Sequence, residues 1–184
     1  MRVIPKRFAL ALLVAAGASA PPGSAEAPAA TVDAAMPPAA RRSPDEAWRG
    51  TRWGMTVDEI QKALPGETFK VTPEVKLADG TVIAAGIDGF AFEELTFDVR
   101  FLFTGGKLSL VSLRTPQKKY VDAEAYARLR EALAKRWGPP LEETKDDALV
   151  DMRQTRWNLG ANRADLKYIP GVVAIIHYPR PAAQ

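Results

Sequence analysis

From Leu95 to Phe103 the apolar residues fall on every second position, with Leu95, Phe97, Val99, Phe101 and Phe103 set against Thr96, Asp98 and Arg100. A period of two belongs to a strand with one buried face, and a helix could not gather those rings on one side. Leu102 alone breaks the polar side. Gly105-Gly106 follows at once and supplies the positive φ of a tight turn, so the next run, Lys107 to Thr115, is expected to fold back antiparallel. Along that run the apolar phase slips from Leu108 and Leu110 to Val111 and Leu113, as a bulge would produce. The middle of the chain therefore commits the fold to an antiparallel sheet.

Other segments extend that sheet. Asp79-Gly80 marks a hairpin pairing roughly 69–77 with 81–87, and Pro73 marks its first strand as an edge. Three further strand-like runs lie at about 149–159, 163–169 and 172–178, the last two joined by Pro170-Gly171. The acidic stretch from Glu142 to Asp147 reads as a loop. Two helices are expected. The first opens on a capping box, Thr56 with Glu59, places Ile60 and Leu64 on one face, and stops at Pro65-Gly66. The second has Asp122 as N-cap, a staple of Val121 with Tyr126, and a stripe of Tyr126, Leu129, Leu133 and Trp137 before Gly138-Pro139-Pro140. Helix, strands, helix, strands predicts an α+β domain, with two short helices packed on one face of an antiparallel β-sheet.

The ends read differently. Arg2, Lys6 and Arg7 precede the apolar run Phe8 to Ala18 and then small residues, the layout of a secretory signal peptide over 1–25. Cleavage is expected after Ala25, in Gly23-Ser24-Ala25, in preference to Ala20, which would leave Pro21 after the cut. The apolar run is shorter than the roughly 20 residues that span a bilayer, so no stable membrane anchor is expected after cleavage. An Ala/Pro-rich linker over 26–47 follows, with Arg41-Arg42 as its solvated end, and a single domain over 48–180.

The leader carries the whole formal charge of +3: without its three basic residues, 22 basic side chains face 22 acidic ones. That balance removes the electrostatic argument for nucleic acid or an anionic membrane. With no cysteine and one histidine, neither a disulfide framework nor the usual transition-metal ligand sets can be built, and no cofactor is expected. The expected product is an exported periplasmic protein, with secretion as the alternative.

Trp53-Gly54-Met55-Thr56 opening a capped helix, Phe101-Leu102-Phe103 with Gly106-Lys107-Leu108, Trp137-Gly138-Pro139, Trp157, and Ile176-His177-Tyr178 form a recurring pattern. It resembles a broad group of small exported bacterial domains, with a layout like the outer-membrane-assembly lipoprotein BamE and the β-lactamase inhibitor protein. The resemblance spans about 48–178 and implies a helix-plus-antiparallel-sheet fold. Members of both comparison families bind other proteins, which implies a binding module here. The chain lacks the lipid-bearing cysteine of the one and the bracing cysteines of the other, so no functional residue carries over.

Candidate chemistry is sparse. His177 lies in the last strand with no partner evident in sequence, and Ser109 and Ser112 sit outside any Gly-x-Ser-x-Gly elbow. Glu142, Glu143, Asp146 and Asp147 could offer oxygens to calcium but lack the alternation and central glycine of a calcium-binding loop. Asp88, Glu93 and Glu94 could serve as acid and base for sugar hydrolysis. Among the tryptophans, Trp137 and Trp157 read as core, while Trp48 and Trp53 are either core edge or binding anchors. The segment Gly86 to Phe92 reads as an exposed loop whose Phe90 and Phe92 either form a contact surface or cap the core. The expected function is a non-enzymatic module binding an envelope protein or small ligand through Phe90, Phe92, Trp48 and Trp53. The alternative is a small carboxylate-dependent hydrolase of cell-wall or sugar material.

Overall fold

The computed structural model describes residues 43–116, 120–146 and 151–179. The leader, both cleavage positions, Arg41-Arg42, Asp147 and Leu149 lie outside the described residues. Within them the chain forms α1 (Val57–Ala63), β1 (Phe69–Lys76), β2 (Val82–Phe92), β3 (Leu95–Thr104), β4 (Lys107–Arg114), α2 (Ala123–Trp137), β5 (Glu142–Asp146), β6 (Met152–Leu159), β7 (Asn162–Ile169) and β8 (Val172–Pro179). The strands make one antiparallel sheet in the order β1-β2-β3-β4-β8-β7-β6-β5. It consists of two meanders joined where β4 meets β8, with Val111 opposite His177.

The period-two run is β3, whose Phe97, Val99, Phe101 and Phe103 are buried. Gly105 and Gly106, at φ 58° and 75°, turn the chain into β4. The expected bulge falls at Ser109: Leu102 pairs with Leu110 but Phe103 with Leu108, so one residue of β4 is extra. Leu102 is buried as well, although it belongs to the polar side of β3.

Partners on neighbouring strands continue the buried face. Val111, His177, Ala164 and Trp157 form one cross-strand row, and Leu113, Ile175, Leu166 and Thr155 another. All eight are buried.

The expectation of an α+β domain with two helices layered on one face is corrected by this arrangement. Strands hold about 51% of the described residues and helices 17%, so the sheet itself is the architecture. Helix α1 has its capping box, with Thr56 N–H donating to Glu59 at 2.7 Å, yet among its own residues it buries only Ile60. The segment before it contributes more to the core. Trp48, Arg49, Gly50 and Thr51 form a tight turn with Arg49 and Gly50 at φ 47° and 80° and a 3.0 Å bond from Thr51 N–H to the Trp48 carbonyl. That turn projects the Trp48 ring edge-on to Phe90 and Phe101, at centroid separations of 5.2 and 6.0 Å. Trp48 thus joins Ile60 and Leu64 in covering this part of the core. Helix α2 does pack, with Tyr126 hydrogen-bonded to Thr155 at 2.7 Å and Trp137 edge-on to Trp157 at 5.5 Å. Two stretches read as loops, Gly86 to Phe92 and Glu142 to Asp146, belong to strands β2 and β5.

The turn is pinned from far along the chain. Buried Asn162, at the start of β7, donates from Nδ2 to the Glu46 carbonyl at 2.6 Å and accepts from the Trp53 indole N–H at 2.7 Å. Ala47 is fully buried too, so the fold takes in residues just ahead of 48. Asn162→Ala leaves the part-buried Trp53 N–H and Glu46 carbonyl without their partner, at about 1 kcal/mol each. Denaturant titration should show a lower midpoint with an unchanged slope. Asn162→Asp, which keeps the acceptor but sets a carboxylate against a carbonyl, should lower the midpoint at least as far.

Candidate functional site

The residues singled out by sequence do not assemble into a surface. Phe90 and Phe92 are 8% and 1% exposed, and Trp48 is 0% exposed. Arg49 covers what remains of Trp48 and Phe90, its guanidinium 5.4 and 5.7 Å from the two ring centroids. Trp53 is partly buried, with its N–H committed to Asn162. These side chains build the core. Phe90→Ala and Phe92→Ala should each cost about 3–5 kcal/mol, the penalty of deleting a buried ring. Thermal melts should show this before any binding assay is affected, whereas a contact role would leave the melts unchanged.

The carboxylates are divided. Asp88 is ion-paired to Arg100 at 2.7 Å. Glu93 and Glu94 form the turn between β2 and β3, with Glu93 at φ 52°, and line a 240 Å³ pocket beside Arg128 and Leu129. Glu94 is ion-paired to Arg128. Two neighbours on one turn occupy one wall, whereas sugar hydrolysis needs carboxyl groups flanking the scissile bond from opposite sides. His177 is buried edge-on to Trp137 at 5.5 Å, on the face opposite Ser112, its neighbour in strand register being Val111. Ser109 shares a 2.9 Å hydrogen bond with Thr104 at the bulge. Among the described residues no three His, Cys, Asp or Glu side chains gather as a metal site. Glu142 and Glu143 point to opposite faces of β5, where they pair with Arg156 and Arg130.

That strand is the feature sequence reading missed. Both ends of the sheet order are edges, but they differ. Edge β1 contains Pro73, which has no N–H to donate, and its register breaks between Lys70 and Val75. Edge β5 runs unbroken, each residue paired in turn from Glu142 opposite Arg156 to Asp146 opposite Met152. Residues Glu142 to Lys145 are all exposed. Among the described residues no strand pairs with the outer edge of β5.

A groove flanks β5 on each face. The inner one, 280 Å³, lies between β5 and α2 and is lined by Tyr126, Arg130, Glu143, Lys145, Arg153 and Thr155, among others. The outer one, 490 Å³, is formed with β6 and β7, and Met152, Gln154, Lys167 and Ile169 lie along it. Met152 and Ile169 are 40% and 52% exposed, a sizeable apolar area for an otherwise polar face.

Arg153 organises the junction between the two grooves. Its guanidinium makes a bidentate pair with Asp151, at 2.9 and 2.7 Å, and lies 5.8 and 6.0 Å from the rings of Tyr168 and Tyr126. A planar cation held by a carboxylate and two aromatic rings is fixed in direction. The hydrogen bond from Arg153 holds Asp151 below the ordinary carboxylate range. Burial pushes the Tyr126 hydroxyl above its ordinary value, against the opposing effect of its bond to Thr155.

A raised tyrosine pKa gives stability that is complete below the unfolded value near 10 and is lost as pH rises through the folded value. Tyr126→Phe should therefore cost about 1 kcal/mol at neutral pH, from the lost bond to Thr155, and yet shift the alkaline loss of stability to higher pH. Denaturation midpoints measured across the alkaline range would show the two curves converging.

Comparison with known proteins returns no matching family model, no matching curated protein and no matching solved structure, so the site stands on its own geometry.

Proposed function

We propose that this chain is a non-enzymatic binding module of the bacterial envelope that takes an extended segment of a partner protein as a ninth strand beside β5. The observation that carries the proposal is the open, unbroken edge of β5 with a groove on each face. In strand addition, main-chain hydrogen bonds supply affinity and pockets for alternate side chains supply specificity. An added strand sends successive side chains to opposite faces, and β5 has a receiving groove on each. The charges of Glu142 and Glu143 are drawn onto Arg156 and Arg130, which leaves the backbone edge approachable. The export leader read in residues 1–25 supports the envelope setting. The resemblance in layout to exported protein-binding domains implies the same role.

The test uses the alternation of the backbone itself. Along a strand, neighbouring amides point to opposite edges, so of Thr144→Pro and Lys145→Pro one removes an outward N–H and the other a bond to β6. Peptides selected from a random displayed library should lose binding to the outward-facing variant while its melting temperature stays unchanged. The inward-facing variant should be destabilised by roughly 1–3 kcal/mol. Selected peptides that bind both proline variants as well as the parent would overturn the proposal, as would a library from which none is selected.

A further inference from the structure

The outer groove lies on the face of β5, β6 and β7, not along the edge of β5, so it stands apart from the main-chain edge used in strand addition. Its volume of 490 Å³ falls in the range, roughly 300–1,000 Å³, that takes a small ligand. Two cross-strand rows make its floor. Arg153 stands opposite Tyr168, so Met152 and Ile169, one place further along, face each other on the outer side. They are exposed at 40% and 52%. In the next row Thr144 of β5 stands opposite Gln154 of β6, and Gln154 opposite Lys167 of β7.

Among the described residues no carboxylate lines this groove. Of the cations that do, Arg153 is paired with Asp151, and Lys145 acts on the same carboxylate. Lys167 makes no ion pair or hydrogen bond among the described residues. Asp165, two residues back on the same face of β7, is 3% exposed and already accepts from Gln154 at 3.0 Å and from Arg156 at 3.1 Å. The Lys167 ammonium is therefore left uncommitted beside an apolar pair. The Thr144 hydroxyl, on the far side of Gln154, is a second donor for the same anion. Two strand spacings separate the backbones of Thr144 and Lys167, about 10 Å, which a lysine stem and a carboxylate together span.

We infer that the outer groove binds a small fatty-acid-like monocarboxylate, its head between Lys167 and Thr144 and its apolar body against Met152 and Ile169. One uncommitted cation matches a singly charged head, whereas a phosphate group brings nearly two charges at neutral pH. A cationic amphiphile would meet Lys167 with no lining carboxylate to receive it among the described residues.

The experiment titrates the full chain with octanoate, octylammonium and acetate, each below the concentration at which it self-associates. Amide chemical shifts locate the site and calorimetry gives the affinity. Octanoate should bind saturably, and the amides that move should belong to Thr144, Met152, Gln154, Lys167 and Ile169. Octylammonium has the same tail with the opposite charge, and acetate the same head without the tail. Each should bind roughly tenfold more weakly or worse. Lys167→Met should lower the affinity for octanoate towards that for octylammonium, while Lys167→Arg retains it. The double variant Met152→Ser, Ile169→Ser should weaken octanoate and octylammonium by the same factor. All three positions are exposed, so the variants should melt with the parent.

Equal binding of octanoate and octylammonium would overturn the inference, as would the absence of saturable octanoate binding. Shifts confined to the pocket beside Glu94 and Arg128 would overturn it too. These outcomes are read on the parent chain and hold whether or not a variant folds. Strand addition is decided separately, by the proline variants.

Discussion

A single constraint governs the molecule: alternate residues of six adjacent strands must turn the same way, so that one face of the sheet becomes the core. From Phe90 and Phe97 through Phe101, Val111, Ile175 and Leu166 to Trp157, the buried side chains pass from strand to strand in register. Slipping any of these strands by one residue would turn its apolar set to solvent. The bulge at Ser109 and the irregular pairing in β2 are the local adjustments that keep this face continuous where the sequence phase shifts. What covers the face is secondary to it. One part is closed by the Trp48 turn and the other by α2, two unlike elements meeting the same need for apolar contact.

The strands with strong alternation were legible in the sequence, and so were the turns whose glycines demand positive φ. Leu95 to Phe103, the Gly105-Gly106 turn, the N-cap at Asp122 and the stripe on the second helix all stand where the residues placed them. Each is decided by interactions within a few positions of the chain. Trp48 is different, because its burial depends on Phe90 and Phe101 some forty and fifty residues later and on Asn162 beyond them. No local pattern encodes those meetings, so an indole in a linker-like setting reads as core edge or as an anchor. Phe90 and Phe92 posed the same problem, since Gly86 and Gly89 just ahead of them suggested a loop. In the fold Gly86 admits Arg100 and Phe69, with a Cβ at that position meeting Arg100 Nη1 at 2.9 Å.

The β5 edge was illegible for another reason. Glu-Glu-Thr-Lys-Asp has no apolar alternation, because neither of its faces is buried in the core. Such a strand exists through backbone pairing with β6 and through ion pairs to Arg130 and Arg156. Hydropathy finds strands by the side chains they bury, and is therefore blind to an edge strand that buries little. The faint signal available was positional: five polar residues, none of them glycine or proline, standing shortly before the well-patterned run of β6.

The junction of β4 with β8 has a further meaning for the order in which the molecule assembles. Strands β1 to β4 pair with their neighbours in sequence, and so do β5 to β8, but the seam between the two sets joins residues sixty or more positions apart, as Val111 and His177 are. Local hairpins form quickly, whereas a contact across so long a loop pays its closure entropy before it gains anything. The last strand in chain order lies in the middle of the finished sheet. A chain emerging from its amino end, whether at a ribosome or through a membrane, can close the first meander early but must leave the side of β4 that later receives β8 uncovered. Until residues 172–179 arrive, that temporary edge is the most adhesive part of the molecule.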